Sequence, residues 1–331
     1  MTLHLHGLGH FHPEVEITNR FLEDLDIGTN DTWILERVGI RSRRTSLPLD
    51  YLSQTRNRDP RAAAEAALYD ATDLGQRAAE RALAAAGLEP SDIGLVVAGT
   101  CGSDMATPAE AALVADRLGI AAQCFDVNSA CTSFAAQLHV LSMMRPEALP
   151  DYVLLVVADT MTRCVDYSDR ETAVLFGDAA GAAVISTRHA GRARILSTDL
   201  RSDPSGSAKV TIPRFGYFAQ EGRVVQMFAI KKTLEQVQRL QSELEGSGLT
   251  VHFVGHQANM RVLESVCERA DIAPERHHSN VEWYGNTGSP SCATVLSMNW
   301  EKWTPGDNVL VAVVGAGLTW GSFLVRFGDD S

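Results

Sequence analysis

Residues 126–134 read "DVNSACTSF". One cysteine, Cys131, sits among small residues where an apolar stretch ends and an amphipathic one begins. After it, Phe134, Leu138 and Leu141 fall on one helical face, so the spacing predicts a helix with the thiol at its N-terminus. Backbone N–H groups and the helix dipole stabilise a thiolate there and lower its pKa. Ser129 and Ala130 are small and leave room for a substrate. A buried structural cysteine at a strand–helix junction carries the same local pattern, so the rest of the chain must decide between core thiol and nucleophile.

Outward from this stretch, short β-rich runs alternate with helical patterns, the signature of an α/β fold. Strands are expected at 93–99, 152–159, 182–186, 251–255, 308–315 and 322–327. Several are continuously apolar, as strands covered on both faces are. Asp59-Pro60 reads as an N-cap followed by proline at the first helical position. A further helix is expected over 73–86, stopping at Gly87. Over 226–244, Met227, Ile230, Leu234, Val237, Leu240 and Leu244 form one face of a long amphipathic helix. There is also an internal repeat. Each half has two strand–helix units, a third strand, and a Gly-rich turn into a final strand: "FGDAAGAAVIS" in the first, "GAGLTWGSFLVRF" in the second. Two such halves, 1–187 and 188–331, are expected to pack their sheets back to back with a site where they meet. The boundary falls at "TRHAGRAR", 187–194.

The 331 residues are 45% hydrophobic with a formal net charge of −12. That supports a large core and argues against nucleic acid as the main partner, which needs a basic footprint. No apolar run approaches the roughly 20 residues that span a bilayer. The N-terminus lacks a basic segment followed by an apolar one, so no signal peptide is expected. Six separated cysteines with no CxxC fit reduced thiols in a cytoplasmic protein.

Two further stretches bear on Cys131. "VGHQANMRVL" places His256 just beyond a strand, and "YGNTGSPS" places Asn286 in a Gly/Ser loop at a matching position of the repeat. Singly, they read as a core histidine and a turn former. Together the three supply a thiolate and two neutral hydrogen-bond donors. That set suits Claisen chemistry, in which cysteine carries an acyl group and the donors stabilise an enolate.

With "DTWILERVGIRSRR" (31–44), "DVNSACTSF", "LFGDAAGAAVI" (175–185), "GHQANMR" (255–261), "GNTGSPS" (285–291) and "GAGLTWGSFLVRF" (315–327), the chain resembles the 3-ketoacyl-acyl-carrier-protein synthases III. These are the initiating condensing enzymes of the thiolase fold. The resemblance implies a layered αβαβα core and a homodimer. It implies condensation of an acyl-CoA primer with malonyl carrier protein, giving a 3-ketoacyl product, with no metal and no permanently bound cofactor. Cys131 would be the acylated nucleophile, with His256 and Asn286 the decarboxylation pair. The backbone N–H groups of Cys131 and Ala316 would form the oxyanion hole. Trp33 and Arg170 match the clamp on the adenine of coenzyme A, and Arg37 a position near its phosphates. Arg261 matches a basic residue that docks the acidic carrier protein. Asp178 reads as structural.

The chain departs from the family at several places. "NTGSPS" replaces "NTSAAS", and Ala316 stands for a glycine. Val314 stands for a bulky aromatic, Met227 for a docking lysine, and Thr107 for the phenylalanine of short-primer members. A smaller side chain at position 107, which lines the partner's tunnel in a dimer, implies a medium-length or longer primer. About 18 extra residues lie between Arg44 and Asp73, a count taken from spacing against the family; they cap the tunnel, extend the dimer interface or embellish the surface. The alternative activity is acyl transfer from Cys131 to an alcohol or amine, with His256 as general base. Retention of Cys131, His256 and Asn286 argues against a non-catalytic partner subunit. The lack of a cysteine in "GAGLTWG" argues against a thiolase.

Overall fold

The computed structural model describes residues 2–244 and 249–328. The strands of the first half are β1 (Leu3–Phe11), β2 (Val15–Thr18), β3 (Ser42–Thr45), β4 (Ile93–Gly99), β5 (Gln123–Asp126), β6 (Tyr152–Asp159) and β7 (Ala179–Ser186). Those of the second are β8 (Ala193–Ser202), β9 (Val210–Thr211), β10 (Ala219–Gln220), β11 (Val251–Gly255), β12 (His277–His278), β13 (Asn308–Gly315) and β14 (Thr319–Phe327). Ten of them form one continuous sheet in the order β12-β11-β13-β14-β8-β1-β7-β6-β4-β5. Each half contributes five strands, and within each half their chain order across the sheet is 3-2-4-5-1. The pairing sense repeats too: strand two is parallel to three and four, and five is antiparallel to four and one. The halves join where Leu3–Leu5 of β1 pairs with Ala193–Ile195 of β8.

The layering follows from which helices are sandwiched. Ser133–Met143 packs on β4 and β6 of its own half and on β8 and β14 of the other. Ser291–Met298 does the same against β1, β7 and β11. Helices Ala71–Ala86 and Gly222–Glu243 cover the outer faces. This is the αβαβα stack expected of the thiolase fold. It also corrects the amphipathic reading of the helix after Cys131. Phe134, Leu138 and Leu141 are buried, but so are Ala135, Ala136 and Gln137, because a middle-layer helix meets protein all round. Gln137 donates to the Val156 carbonyl at 3.0 Å, which satisfies a polar group that would otherwise be stranded.

Six expected strands are present; the opening strand of each half, β1 and β8, was not anticipated. β1 reads "LHLHGLGHF", with two glycines that suggest a loop. The glycines are there for close packing: a Cβ on Gly7 or Gly9 would lie 2.4 Å from the Ala82 carbonyl or 2.0 Å from that of Ala78. The expected helix at 73–86 runs Ala71–Ala86, with an Asp70/Asp73 capping box, and ends at Gly87 with φ 66°. Asp59 caps Pro60–Ala66 as expected. In helix Gly222–Glu243 the inward face is Ala229, Thr233, Gln236, Val237 and Leu240. Met227 is 65% exposed, so it does not belong to that face. Asp178 is fully buried and accepts from Ser46 N–H (2.7 Å) and from the N–H (2.7 Å) and hydroxyl (2.6 Å) of Thr162, a structural tie. The stretch after Arg44 is packed: Asn57 is buried and donates to the carbonyls of Arg163 (3.0 Å) and Val165 (2.8 Å).

Asp126, the first residue of the opening motif, accepts from the N–H groups of Glu110 and Ala111, both at 2.9 Å, and so caps helix Glu110–Leu118. Glu110 itself is buried, and burial raises its carboxyl pKa to about 7. The unfolded chain ionises this group first, so its contribution to stability is present below about pH 4.3 and is lost as pH rises through about 7. Glu110→Gln is therefore expected to melt several degrees above wild type at pH 8 and to lose that margin at pH 4.5. Thermal melts across pH check this; a pH-independent gap contradicts it.

Candidate active site

Cys131 lies in the turn between β5 and helix Ser133–Met143, with Ala130 before it at φ 47°. That conformation is costly for a residue with a Cβ. Local bonds hold it: Ser133 Oγ accepts from Ser129 N–H at 2.9 Å and donates to the Ala130 carbonyl at 2.7 Å. Thr132 Oγ1 donates to the Ser129 carbonyl at 2.6 Å. The half-buried thiol meets a second one, Cys101, with the sulfurs 4.0 Å apart. The hydrogen bond from Cys101 holds the Cys131 thiol well below the ordinary range. Burial works against this shift, and neighbouring His256 adds to it by charge and hydrogen bond. Cys101 moves the opposite way, raised by donating to Cys131, by burial and by the Asp159 carboxylate.

His256 and Asn286 open into the same cavity as Cys131. His256 is buried beyond β11, and its Nδ1 is 2.8 Å from Ser291 Oγ, leaving Nε2 for the cavity. Asn286 is held between Leu175 and Gly177 by two backbone bonds of 2.8 and 3.0 Å. Its Oδ1 accepts from Gly288 N–H at 3.0 Å, so the Nδ2 end is the donor left to the cavity. The altered loop has a local reason. Gly288 has φ 74°, and a Cβ there would stand 2.4 Å from Asp159 Oδ2 and 3.2 Å from Cys101 Sγ.

Asp159 was not anticipated. It is buried at the end of β6 and accepts from Thr100 Oγ1 (2.7 Å), Cys101 N–H (2.6 Å) and Ser289 N–H (2.6 Å). Burial pushes its pKa up to about 6 against these bonds. Cys101 and Asp159 were missed because neither stands in a recognisable motif; both gain meaning only when the loops after β4 and β6 meet.

The "GAG" turn lies against Cys131. A Cβ on Gly315 would be 3.1 Å from Cys131 N, and Gly315, Ala316 and Val314 line the cavity. Thr319 fixes this turn by donating to the Ala316 carbonyl at 3.1 Å and meeting Thr132 Oγ1 at 3.0 Å. The cavity adjoins a larger one of 680 Å³; Phe176, Phe218, Ala229 and Asn286 line both. The larger one is lined by Trp33, Arg37 and Arg261, on the far side of Asn286 and Phe176 from Cys131. Arg223, which the sequence did not single out, completes a basic rim on this acidic chain. Arg170 lies on Trp33, its guanidinium 4.5 Å from the ring centroid, and donates to the Gly28 carbonyl at 2.9 Å; Arg37 is 6.0 Å from the same ring. Arg261 donates to the carbonyls of Leu35 (2.6 Å) and Glu36 (3.1 Å), a cation at the C-terminal end of helix Asp31–Val38. Thr107 stands on an exposed loop away from these cavities. On the other side of Cys101, a chamber of 530 Å³ is lined by Met161, Ile212, Met105 and Phe215, and by Pro60 and Ala64 of the stretch after Arg44. Among the described residues, no helix is long and apolar enough to cross a membrane.

Two strand–helix halves meeting at a cysteine, a histidine and an asparagine define a thiolase-fold condensing enzyme. Comparison with known proteins specifies which. The family model for 3-oxoacyl-[acyl-carrier-protein] synthase III matches residues 125–204, and that for its C-terminal part matches 247–327. The beta-ketoacyl-[acyl-carrier-protein] synthase III of Geobacillus kaustophilus is 34% identical over 97% of this chain and 98% of its own. The crystal structure of the synthase III from Pseudomonas aeruginosa superposes with a TM-score of 0.85 at 33% identity over 100% of both chains. That from Aquifex aeolicus gives 0.85 at 29%, over 98% of this chain and 100% of its own. The chain belongs to the 3-oxoacyl-[acyl-carrier-protein] synthase III family and is an enzyme of acyltransferase type.

The thiol's surroundings make a prediction. Iodoacetamide is expected to alkylate Cys131 with a pH midpoint below that of an ordinary thiol, about 8.5. Cys101→Ala and His256→Ala should each move the midpoint upward, read by peptide mass spectrometry. A wild-type midpoint at or above 8.5 contradicts the assignment.

Proposed function

We propose that this enzyme condenses an acyl-CoA primer with malonyl carrier protein, releasing carbon dioxide and coenzyme A and leaving a 3-ketoacyl carrier protein. The observation that carries the reading is the convergence of Cys131, His256 and Asn286 on one cavity, with both donors oriented from behind. In the first half-reaction the Cys131 thiolate attacks the primer's thioester carbonyl. The N–H groups of Cys131 and Ala316 receive the oxyanion, and the thiolate of coenzyme A leaves. Trp33, Arg37 and Arg170 bind the nucleotide at the tunnel mouth. In the second, malonyl carrier protein docks its acidic surface on Arg261, Arg37 and Arg223. Loss of its carboxylate gives an enolate, whose oxygen accepts from His256 Nε2–H and Asn286 Nδ2–H, and whose carbon attacks acyl-Cys131. Nδ1 is engaged by Ser291 Oγ at 2.8 Å; in the tautomer that this role requires, Ser291 donates to Nδ1 and Nε2 carries the proton. These steps call for no resident cofactor. The enzyme acts as a homodimer of two-half subunits, 1–187 and 188–331, with the loop of Thr107 facing the partner. Retention of Asn286 favours condensation, since pure acyl transfer to an alcohol or amine has less use for a second enolate donor.

The primer is medium-chain or longer. Supporting this, the nucleophile's cavity is walled by Met161, Ile212, Phe228 and Val314, and three of its residues, Cys101, Met161 and Ile212, also line the chamber behind. Each buried methylene contributes about 0.8 kcal/mol, so octanoyl-CoA should exceed acetyl-CoA in kcat/KM by about tenfold or more. With malonyl carrier protein and intact-mass detection, wild type is expected to show an octanoyl adduct on Cys131, then a 3-ketodecanoyl carrier. Asn286→Ala should acylate without extending, and Cys131→Ala should do neither. An adduct that wild type never extends points to acyl transfer. Strong turnover of acetyl-CoA with none of octanoyl-CoA overturns the primer assignment.

A further inference from the structure

Beyond its hydrogen bond to Cys131, Cys101 forms and breaks no bond in the chemistry above, yet its sulfur is the one that meets the nucleophile. We propose that Cys101 is a resolving thiol for Cys131, and that a peroxide converts the pair into a reversible disulfide that shields the nucleophile. The observations are geometric. The sulfurs stand 4.0 Å apart on one cavity, and both residues are half-buried and open to it. Each comes from a turn rather than a strand or helix interior: Cys131 follows Ala130 at positive φ, and Cys101 opens the loop after β4. Side-chain rotation within the cavity must bring the sulfurs to about 2.05 Å. Gly288 leaves the space around Cys101 free, since a Cβ there would crowd its sulfur at 3.2 Å. The cavity that Cys101 and Cys131 line, about 160 Å³, has room for a molecule as small as hydrogen peroxide.

The chemistry balances in two steps. The Cys131 thiolate attacks one peroxide oxygen and the O–O bond breaks. With a proton taken up, Cys131 becomes a sulfenic acid and one water is released. The Cys101 sulfur then attacks the Cys131 sulfur. The S–O bond breaks, the Cys101 proton goes to the departing oxygen, and a second water leaves with the disulfide. Two thiols are oxidised and one peroxide is reduced to two waters. The depressed Cys131 thiol favours the first step, because thiolates are the species peroxides oxidise. The high Cys101 thiol keeps that sulfur reduced until its neighbour is a sulfenic acid. Without a resolving partner the sulfenic acid proceeds to the sulfinic acid, which thiols do not reverse.

The test uses hydrogen peroxide on the intact protein, followed by blocking of free thiols and peptide mapping. Wild type is expected to yield a peptide pair joined through Cys101 and Cys131, lighter by two hydrogens. Its capacity for iodoacetamide labelling at Cys131 should disappear with oxidation and return on treatment with dithiothreitol. Cys101→Ser, compared with its own untreated level, should lose that capacity irreversibly and carry two added oxygens on Cys131. The proposal is overturned if wild type accumulates oxygens on Cys131 with no linkage, or if the linked cysteines are others. It is equally overturned if Cys101→Ser recovers as fully as wild type. Linkage in wild type is read without any variant, and none of these readouts depends on which acyl group or acceptor the enzyme uses.

Discussion

The buried carboxylate of Asp159 is the interaction on which the site depends. It stands at the end of β6 and gathers donors from two loops that belong to different halves: Thr100 and Cys101 after β4, and Ser289 beside Asn286. Placing a carboxylate there is costly, and burial lifts its pKa to about 6. Three short donors to one carboxylate offset that cost, because hydrogen bonds to an ionised acceptor are roughly twice as strong as neutral ones. Without this side chain, Ser289 N–H, beside Asn286, loses its tie to the loop of Cys101. Asp126 and Asp178 repeat the device. The first caps helix Glu110–Leu118 from the end of β5, and the second joins Ser46 to Thr162. All three collect backbone donors near strand ends, where open α/β sheets place their sites.

The repeated topology explains why these groups converge. In each half, the third strand leads into a middle-layer helix, Ser133–Met143 after β5 and Ser291–Met298 after β12. Cys131 precedes the first helix and Asn286 the second, so one structural position supplies a thiolate and its counterpart an amide. The second strands behave likewise: His256 follows β11, and Thr100 and Cys101 follow β4. Both pairs face one cavity because the two halves share a sheet through β1 and β8 and enclose the middle layer between them.

This accounts for what could be read from the chain and what could not. Continuously apolar strands, N-caps such as Asp59 and stops such as Gly87 are local signals, and they landed where expected. Cys131, His256 and Asn286 each follow a strand or precede a helix within a short motif. Cys101 carries no such signal; its meaning comes from a partner 30 residues away, across two adjacent strands. The His- and Gly-rich β1 reads as a loop because its glycines answer to the backbone of helix Ala71–Ala86 and not to a turn. Periodicity also misled: a helix enclosed on all sides gave a false apolar stripe after Cys131, and Met227 fell in step with residues that are buried while itself facing solvent.

The stacked Trp33 and Arg170 bear on how the proposed acyl-CoA substrate is admitted. A base held between an indole and a guanidinium needs two van der Waals spacings of about 3.5 Å each, so the planes must stand about 7 Å apart. Here the guanidinium is 4.5 Å from the ring centroid, and the slot is closed. Opening it breaks an exposed cation–π contact, about 0.5–1 kcal/mol, and the bond to the Gly28 carbonyl, about 1 kcal/mol. Stacking a base on an aromatic ring returns about 1–3 kcal/mol, and the freed guanidinium stacks on its other face. The two sums are comparable, so the nucleotide's base alone gains little by opening the slot. For the acyl-CoA substrate proposed above, net affinity then comes from its phosphates on the arginines at the mouth and from the acyl chain in the cavity. On that proposal, selection among acyl-CoA substrates rests on the walls around Cys131, and Trp33 and Arg170 serve chiefly to hold the thioester in register with the thiol.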